Sequence, residues 1–198
     1  MSGVVLGDGG VLPAARRAGL AGGHDELPAL HGPAAPYGHG RTRSVRGMGG
    51  ARLTVTPRRA RCANCAGTQI LLPTELTVRR ADSTEVIGNA LVAKVNGAGF
   101  RAIAERLDRP ASTVRSWLRR VPDAHARWLY RRAVDRAATY ARELLVRPAP
   151  HKTVLGHALN LLAGAALRLR ERFGVRIAPW TLIGFFAQGR LLAPPLIN

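Results

Sequence analysis

Lysine is almost missing from this chain. Of its 30 basic residues only Lys94 and Lys152 are lysine, leaving 28 arginines. Acidic residues are scarce as well, 12 against those 30, so the formal net charge is +18 and the sequence pI about 11.8. That balance points to an acidic partner, most simply nucleic acid, with an anionic membrane surface as the alternative. Arginine in place of lysine fits a GC-rich coding sequence, and it also fits bidentate recognition of phosphate and guanine. Cysteine is limited to Cys62 and Cys65, too few and too close for a disulfide framework. In a reducing compartment such a pair marks a metal knuckle or a redox site. Long apolar runs are missing too. The uncharged stretch 153–167 contains His157 and Asn160 and falls short of the ~20 residues that span a bilayer. No basic stretch leads into an apolar core at the N-terminus, so no secretory signal is expected. The expectation is a cytoplasmic, nucleoid-associated protein with no membrane partner.

The positive charge is concentrated. Residues 41–80 hold nine Arg against Glu75 alone, a net of +8, and residues 100–147 hold twelve Arg against five acids, a net of +7. Residues 148–198 add +5, while 1–40 and 81–99 are each −1.

Residues 1–50 are rich in Gly and Pro and keep no helical or strand period, so mostly irregular chain is expected there. From Ala51, Leu53 and Val55 alternate with Arg52, Thr54 and Thr56, a strand running towards Arg61. Cys62-Ala63-Asn64-Cys65 then makes a turn, and Thr68–Leu72 returns as the second strand of a basic β-hairpin. Asp82 with Glu85 fits a capping box that opens a helix through Val95. Phe100–Leu107 forms the next helix, interrupted by Asp108-Arg109-Pro110. Pro110 suits the first turn of a third helix ending near Arg120. A helix over Asp123–Val146, another over Thr153–Phe173 and a short one opening at Pro179 complete the pattern. The fold class expected is mainly α: a three-helix unit at 81–121, preceded by a β-hairpin at 36–80 and followed by a helical region at 122–198, with residues 1–35 disordered or divergent.

Phe100 to Arg119 matches the helix-turn-helix pattern along its length. Ala104 is small where two helices must cross, and Ile103 and Leu107 line the inner face of the first. Val114 and Trp117 line the facing side of the second, with Leu118 at the base. Asp108 occupies the turn position that wants a residue tolerant of left-handed backbone. Ser112-Thr113-Val114-Arg115-Ser116-Trp117-Leu118-Arg119-Arg120 resembles recognition helices of bacterial regulators and insertion-sequence transposases. The resemblance implies that the second helix enters the major groove, with Ala111, Ser112, Arg115, Ser116 and Arg119 towards double-stranded DNA. Arg115 is the candidate for a bidentate contact to guanine. Ser112 and Thr113 are candidate phosphate donors near the helix start, and Arg101 and Arg120 are candidate phosphate clamps.

Pro57 to Cys65 resembles the second half of a zinc ribbon, and Arg58, Arg59 and Arg61 form a basic strand that can lie along phosphate. Zinc is the candidate cofactor, with Cys62 and Cys65 as two ligands of a tetrahedral shell. The second knuckle is missing, since its place is taken by Leu27–Gly32. A metal-free degenerate ribbon and a site completed by His24, His31 or His39 both stay open. Residues 1 to about 33 read as divergent, or as the product of a shifted frame or start. The order of ribbon, helix-turn-helix and Ala-rich helices ending in Ala178-Pro179-Trp180 and Gly189-Arg190-Leu191-Leu192 resembles an uncharacterised bacterial family of helix-turn-helix proteins, similar to N-terminal modules of insertion-sequence transposases.

Catalytic patterns are missing. Glu171 is the only acid after Arg147, so no three-carboxylate, two-metal strand-transfer core is expected there. There is no P-loop and no His-Glu-x-x-His. The expectation is therefore a non-enzymatic, sequence-specific DNA-binding protein: a transcriptional regulator or a transposon-derived binder, with an accessory or remnant of a transposase as the alternative. A basic RNA- or membrane-associating scaffold is the alternative from another class. The apolar faces of the helices at 123–146 and 153–173 either pack into a bundle or join two copies as a homodimer.

Overall fold

The computed structural model describes residues 34–193; the expectations for residues 1–33, including His24 and His31 as ligands, lie outside them, as do residues 194–198. Among the described residues five short strands precede seven α-helices, and about half of these residues are helical, with a small β component, so the fold is mixed rather than plainly mainly α. It divides into two compact units. One comprises 34–44 and Thr54–Pro73, the other Val45–Leu53 and 74–193.

In the first unit, β1 (Ala34–His39), β4 (Arg58–Cys62) and β5 (Thr68–Leu71) form an antiparallel sheet in the order β1-β4-β5. The expected hairpin exists as β4–β5, with Arg59 opposite Ile70 and Arg61 opposite Thr68. The expected first strand is divided, however. Pro57 lacks the N–H that a continuing ladder needs, so β3 (Arg52–Val55) ends before it and β4 starts after it. The Gly- and Pro-rich stretch before Ala51, expected to be irregular, supplies β1 and β2 (Arg43–Arg46). β1 carries a bulge between Pro36 and His39, where Gly38 adopts φ 66°, a left-handed conformation that glycine takes without steric cost. The 62–67 segment is a turn closed by Cys62 N–H donating to the Gly67 carbonyl (2.9 Å) and Ala66 N–H to the Cys62 carbonyl (3.1 Å).

β2 and β3 pair across the Gly47–Ala51 loop. In the second unit, α1 (Thr84–Val95), α2 (Phe100–Leu107) and α3 (Ala111–Arg119) are followed by α4 (Asp123–Tyr140), α5 (Glu143–Val146), α6 (Val154–Phe173) and α7 (Pro179–Phe186). One apolar cluster draws on α1–α4, α6, α7 and the segment after α7, where Leu191 and Leu192 are buried. Alanine is frequent among the buried residues of the packed helices α4 and α6, with Ala133 and Ala137 on the first and Ala158, Ala165 and Ala166 on the second. Small side chains let the two helices approach closely.

Two expectations about helix ends change. The N-cap of α1 is Ser83, whose Oγ accepts from Val86 N–H (3.3 Å), not Asp82; Asp82 is occupied by arginines, as described below. The expected continuous helix 123–146 breaks at Ala141 (φ −146°, ψ 50°). Beyond the break, Leu144 packs onto Gly164, where a Cβ would collide with it.

Candidate nucleic-acid interface

The interface candidate is built on α2, its turn and α3. Ile103, Ala104 and Leu107 of α2 and Val114 and Trp117 of α3 are all buried, each where the spacing places it. Leu118 is half-buried. Asp108 takes the left-handed conformation (φ 51°, ψ 56°) that ends α2, and Pro110 caps α3 rather than entering its first turn. These constraints leave one face of α3 outward. Ala111, Ser112, Arg115 and Arg119 are exposed, and Thr113, Ser116 and Arg120 are half-buried. No acidic residue lies in the first turn of α3, so nothing on the helix itself neutralises the positive end of its dipole.

Phe100 is the site residue that spacing alone did not single out. Its ring opens α2 and lies 5.7 Å from the Arg101 guanidinium carbon and 5.8 Å from that of Arg115. Cation–π contacts of this kind contribute about 0.5–1 kcal/mol at exposed positions, enough to bias two flexible side chains towards one place. Arg101 of α2 and Arg115 of α3 thus converge on one ring. Arg80 is a second addition. It lies beside Arg120, and its pKa is held below the ordinary arginine value, first by burial and then by the Arg120 charge.

A buried ionic node holds the turn. Asp82, 3% exposed, accepts from Arg109 Nε (2.7 Å) and Arg46 Nη2 (2.7 Å). The Arg109 side chain is itself 6% exposed and also donates to the carbonyls of Leu107 (3.1 Å), Asp108 (2.7 Å) and Gly47 (2.8 Å). One guanidinium therefore ties the α2–α3 turn to the residue preceding the α1 cap and to the β2–β3 loop. Among the described residues none of Arg58, Arg59, Arg61, Arg101, Arg115, Arg119 and Arg120 is paired with a carboxylate, so their guanidiniums are open to phosphate.

β4 separates the three arginines that the sequence groups together. Alternation puts Arg59 and Arg61 on one face, and Arg58 on the other with the buried Ala60 and Cys62. Cys62 is buried and Cys65 exposed. Tetrahedral zinc needs four ligands close together, and no group of three or more His, Cys, Asp and Glu side chains forms among the described residues. His39 is excluded as a partner by register. It pairs with Arg58, whereas Cys62 pairs with Ala34 at the other end of the ladder, about 13 Å away at ~3.3 Å per residue. The described residues thus offer two thiols and do not complete the shell.

The apolar stripes of α4 and α6, read from sequence as a homodimer surface or a bundle core, are buried against each other within one chain. No described helix is long and apolar enough to cross a membrane. Comparison of the chain with protein-family models, with curated proteins and with solved structures finds no match.

Proposed function

We propose that this chain binds double-stranded DNA sequence-specifically and without catalysis, using α2–α3 as a helix-turn-helix with α3 in the major groove. The observation that carries the proposal is the outward face of α3. Ala111, Ser112, Arg115 and Arg119 are exposed on a short helix whose opposite side is locked by Val114 and Trp117. Arg115, braced by Phe100, is the reader of a guanine edge, a contact worth about 1–3 kcal/mol of discrimination. Arg101 and Arg120 clamp phosphate, and Ser112 and Thr113 donate to phosphate near the helix start. Arg58, Arg59 and Arg61 supply sequence-independent attraction. A regulator is the favoured role over a transposase accessory or remnant, and α4, α6 and α7 act as the scaffold behind the reader.

The test is a binding selection with the full chain on random duplexes. A defined consensus is expected. Arg115→Ala should relax preference at one or two positions, while Arg58→Ala should weaken binding evenly across sequences. A palindromic consensus with half-sites about 10 base pairs apart would mark two copies; a single half-site marks one. Identical behaviour of the two variants refutes the assignment of reader and clamp, and the absence of any consensus refutes sequence-specific recognition.

A further inference from the structure

The face of β4 that carries Arg59 and Arg61 has a second component. Tyr37, on the neighbouring β1, has its ring 5.4 Å from the Arg59 guanidinium carbon and 5.2 Å from that of Arg61. The ring is not enclosed, since Tyr37 is 44% exposed. Ile70, opposite Arg59 on β5, is 53% exposed. Each guanidinium is anchored by one edge and keeps its other donors: Arg59 Nη2 donates to Thr68 Oγ1 and Arg61 Nε to the Ala66 carbonyl, both at 3.3 Å. The charge around them is one-sided. The described residues of this unit hold Arg41, Arg43, Arg58, Arg59 and Arg61 and no Asp or Glu.

These features fit one kind of occupant. An apolar protein surface docking here would have to desolvate two arginines without offering a counter-charge, which is costly. A duplex presents phosphates, but the faces of its bases are already stacked on one another. A single strand offers both phosphates and free base faces, and its recognition rests on an aromatic platform beside a cationic track. We propose that the open face of β1-β4-β5 is a stacking platform for an unpaired nucleobase, with Tyr37 under the base and Arg59 and Arg61 on the flanking phosphates. This site lies in a different unit from α3 and takes a different form of nucleic acid; Arg59 and Arg61 also attract duplex, but Tyr37 has no part in that attraction, so the two readings are separated at Tyr37.

The experiment measures fluorescence anisotropy of the full chain with a labelled oligothymidine of about 15 nucleotides, near the upper site size of small sheet modules, and separately with a mixed-sequence duplex. Tyr37→Leu keeps apolar bulk but removes the ring. It should weaken oligothymidine binding about 5- to 150-fold, the range for loss of one base–aromatic stack, while duplex binding changes less than about twofold. Tyr37→Phe should retain single-strand binding. The duplex arm reports that the helical unit is folded, and slow alkylation of the buried Cys62 thiol on β4, as in wild type, reports that the sheet is. On the unaltered chain, ultraviolet cross-linking to a bromodeoxyuridine strand should place the adduct on Tyr37. Failure of the chain to bind oligothymidine overturns the proposal. So does equal single-strand affinity of wild type and Tyr37→Leu, equal weakening of both probes, or an adduct mapped away from Tyr37.

Discussion

Replacing Asp82 with asparagine keeps the shape of the buried node and removes its charge. The perturbation falls unevenly on the two arginines. Arg46 is 41% exposed and can turn to water when its partner goes, so its share of the loss is small. Arg109 is 6% exposed and has nowhere to turn. Its guanidinium keeps three backbone carbonyls but loses the one carboxylate it pairs with among the described residues. Removing one partner of a buried pair costs about 3–5 kcal/mol, mostly through the stranded charge, and the lower end applies because those carbonyls remain. Against a total stability of about 5–15 kcal/mol, about 3 kcal/mol is a large fraction. Urea unfolding followed by tryptophan fluorescence reads the helical unit alone, because Trp117, Trp128 and Trp180 all lie in it. With a denaturant slope of about 2 kcal/mol/M, Asp82→Asn should lower the midpoint by about 1.5 M at unchanged slope. Arg46→Ala should move it by less than about 0.5 M on the same slope. If Arg46→Ala costs as much as Asp82→Asn, or neither moves the midpoint, the stranded-charge reasoning is wrong.

Other tests address separate parts of the molecule. Gly184→Ala would normally gain helix propensity, but its Cβ would meet the Thr74 carbonyl; thermal denaturation should show a net loss of about 1–3 kcal/mol, and a raised Tm would contradict the close approach. His125 stacks on Trp128 and donates from Nε2 to the Arg190 carbonyl (3.0 Å). Burial lowers its pKa below the ordinary value, the Arg190 and Leu191 carbonyls partly oppose this, and the Arg190 charge adds to the lowering. The unfolded chain therefore binds the proton first, so stability falls as pH drops below ~6.5 and levels off once the folded-state pKa is passed. His125→Gln should lose that part of the pH dependence, and an unchanged Tm-versus-pH curve would refute it. Protein purified without chelator should hold less than about a tenth of an equivalent of zinc by atomic absorption, because a tetrahedral site needs four ligands; a full equivalent would show that residues other than those described complete the shell.

Much of the helical unit was legible because its signals are local. The run from Phe100 to Arg119 specifies its buried residues by helical period. Asp108 marks the turn because a left-handed residue is needed within a few positions of Ala104, and Pro179 marks a helix start. The misreadings arose where a side chain had two local uses. Asp82 has the chemistry of an N-cap, but two arginines distant in sequence claim it and Ser83 caps instead. Arg109, placed by the sequence only within the interruption between two helices, is enclosed.

By itself, then, the sequence determined the order of the helices, the inner and outer faces of α2 and α3, and a charge that favours polyanions, since period, capping and charge count act within a few residues of each other. Tertiary structure decided what depends on distant segments meeting. It drew β1 out of a glycine-rich stretch to flank β4, gathered Tyr37 with Arg59 and Arg61, and brought Arg101 and Arg115 to one Phe100 ring. It also enclosed α4 and α6 against each other and buried Leu191 and Leu192. The physical reason is the range of the forces: backbone propensity acts over one or two turns, whereas burial and ion pairing reward any segments that chain folding can bring together.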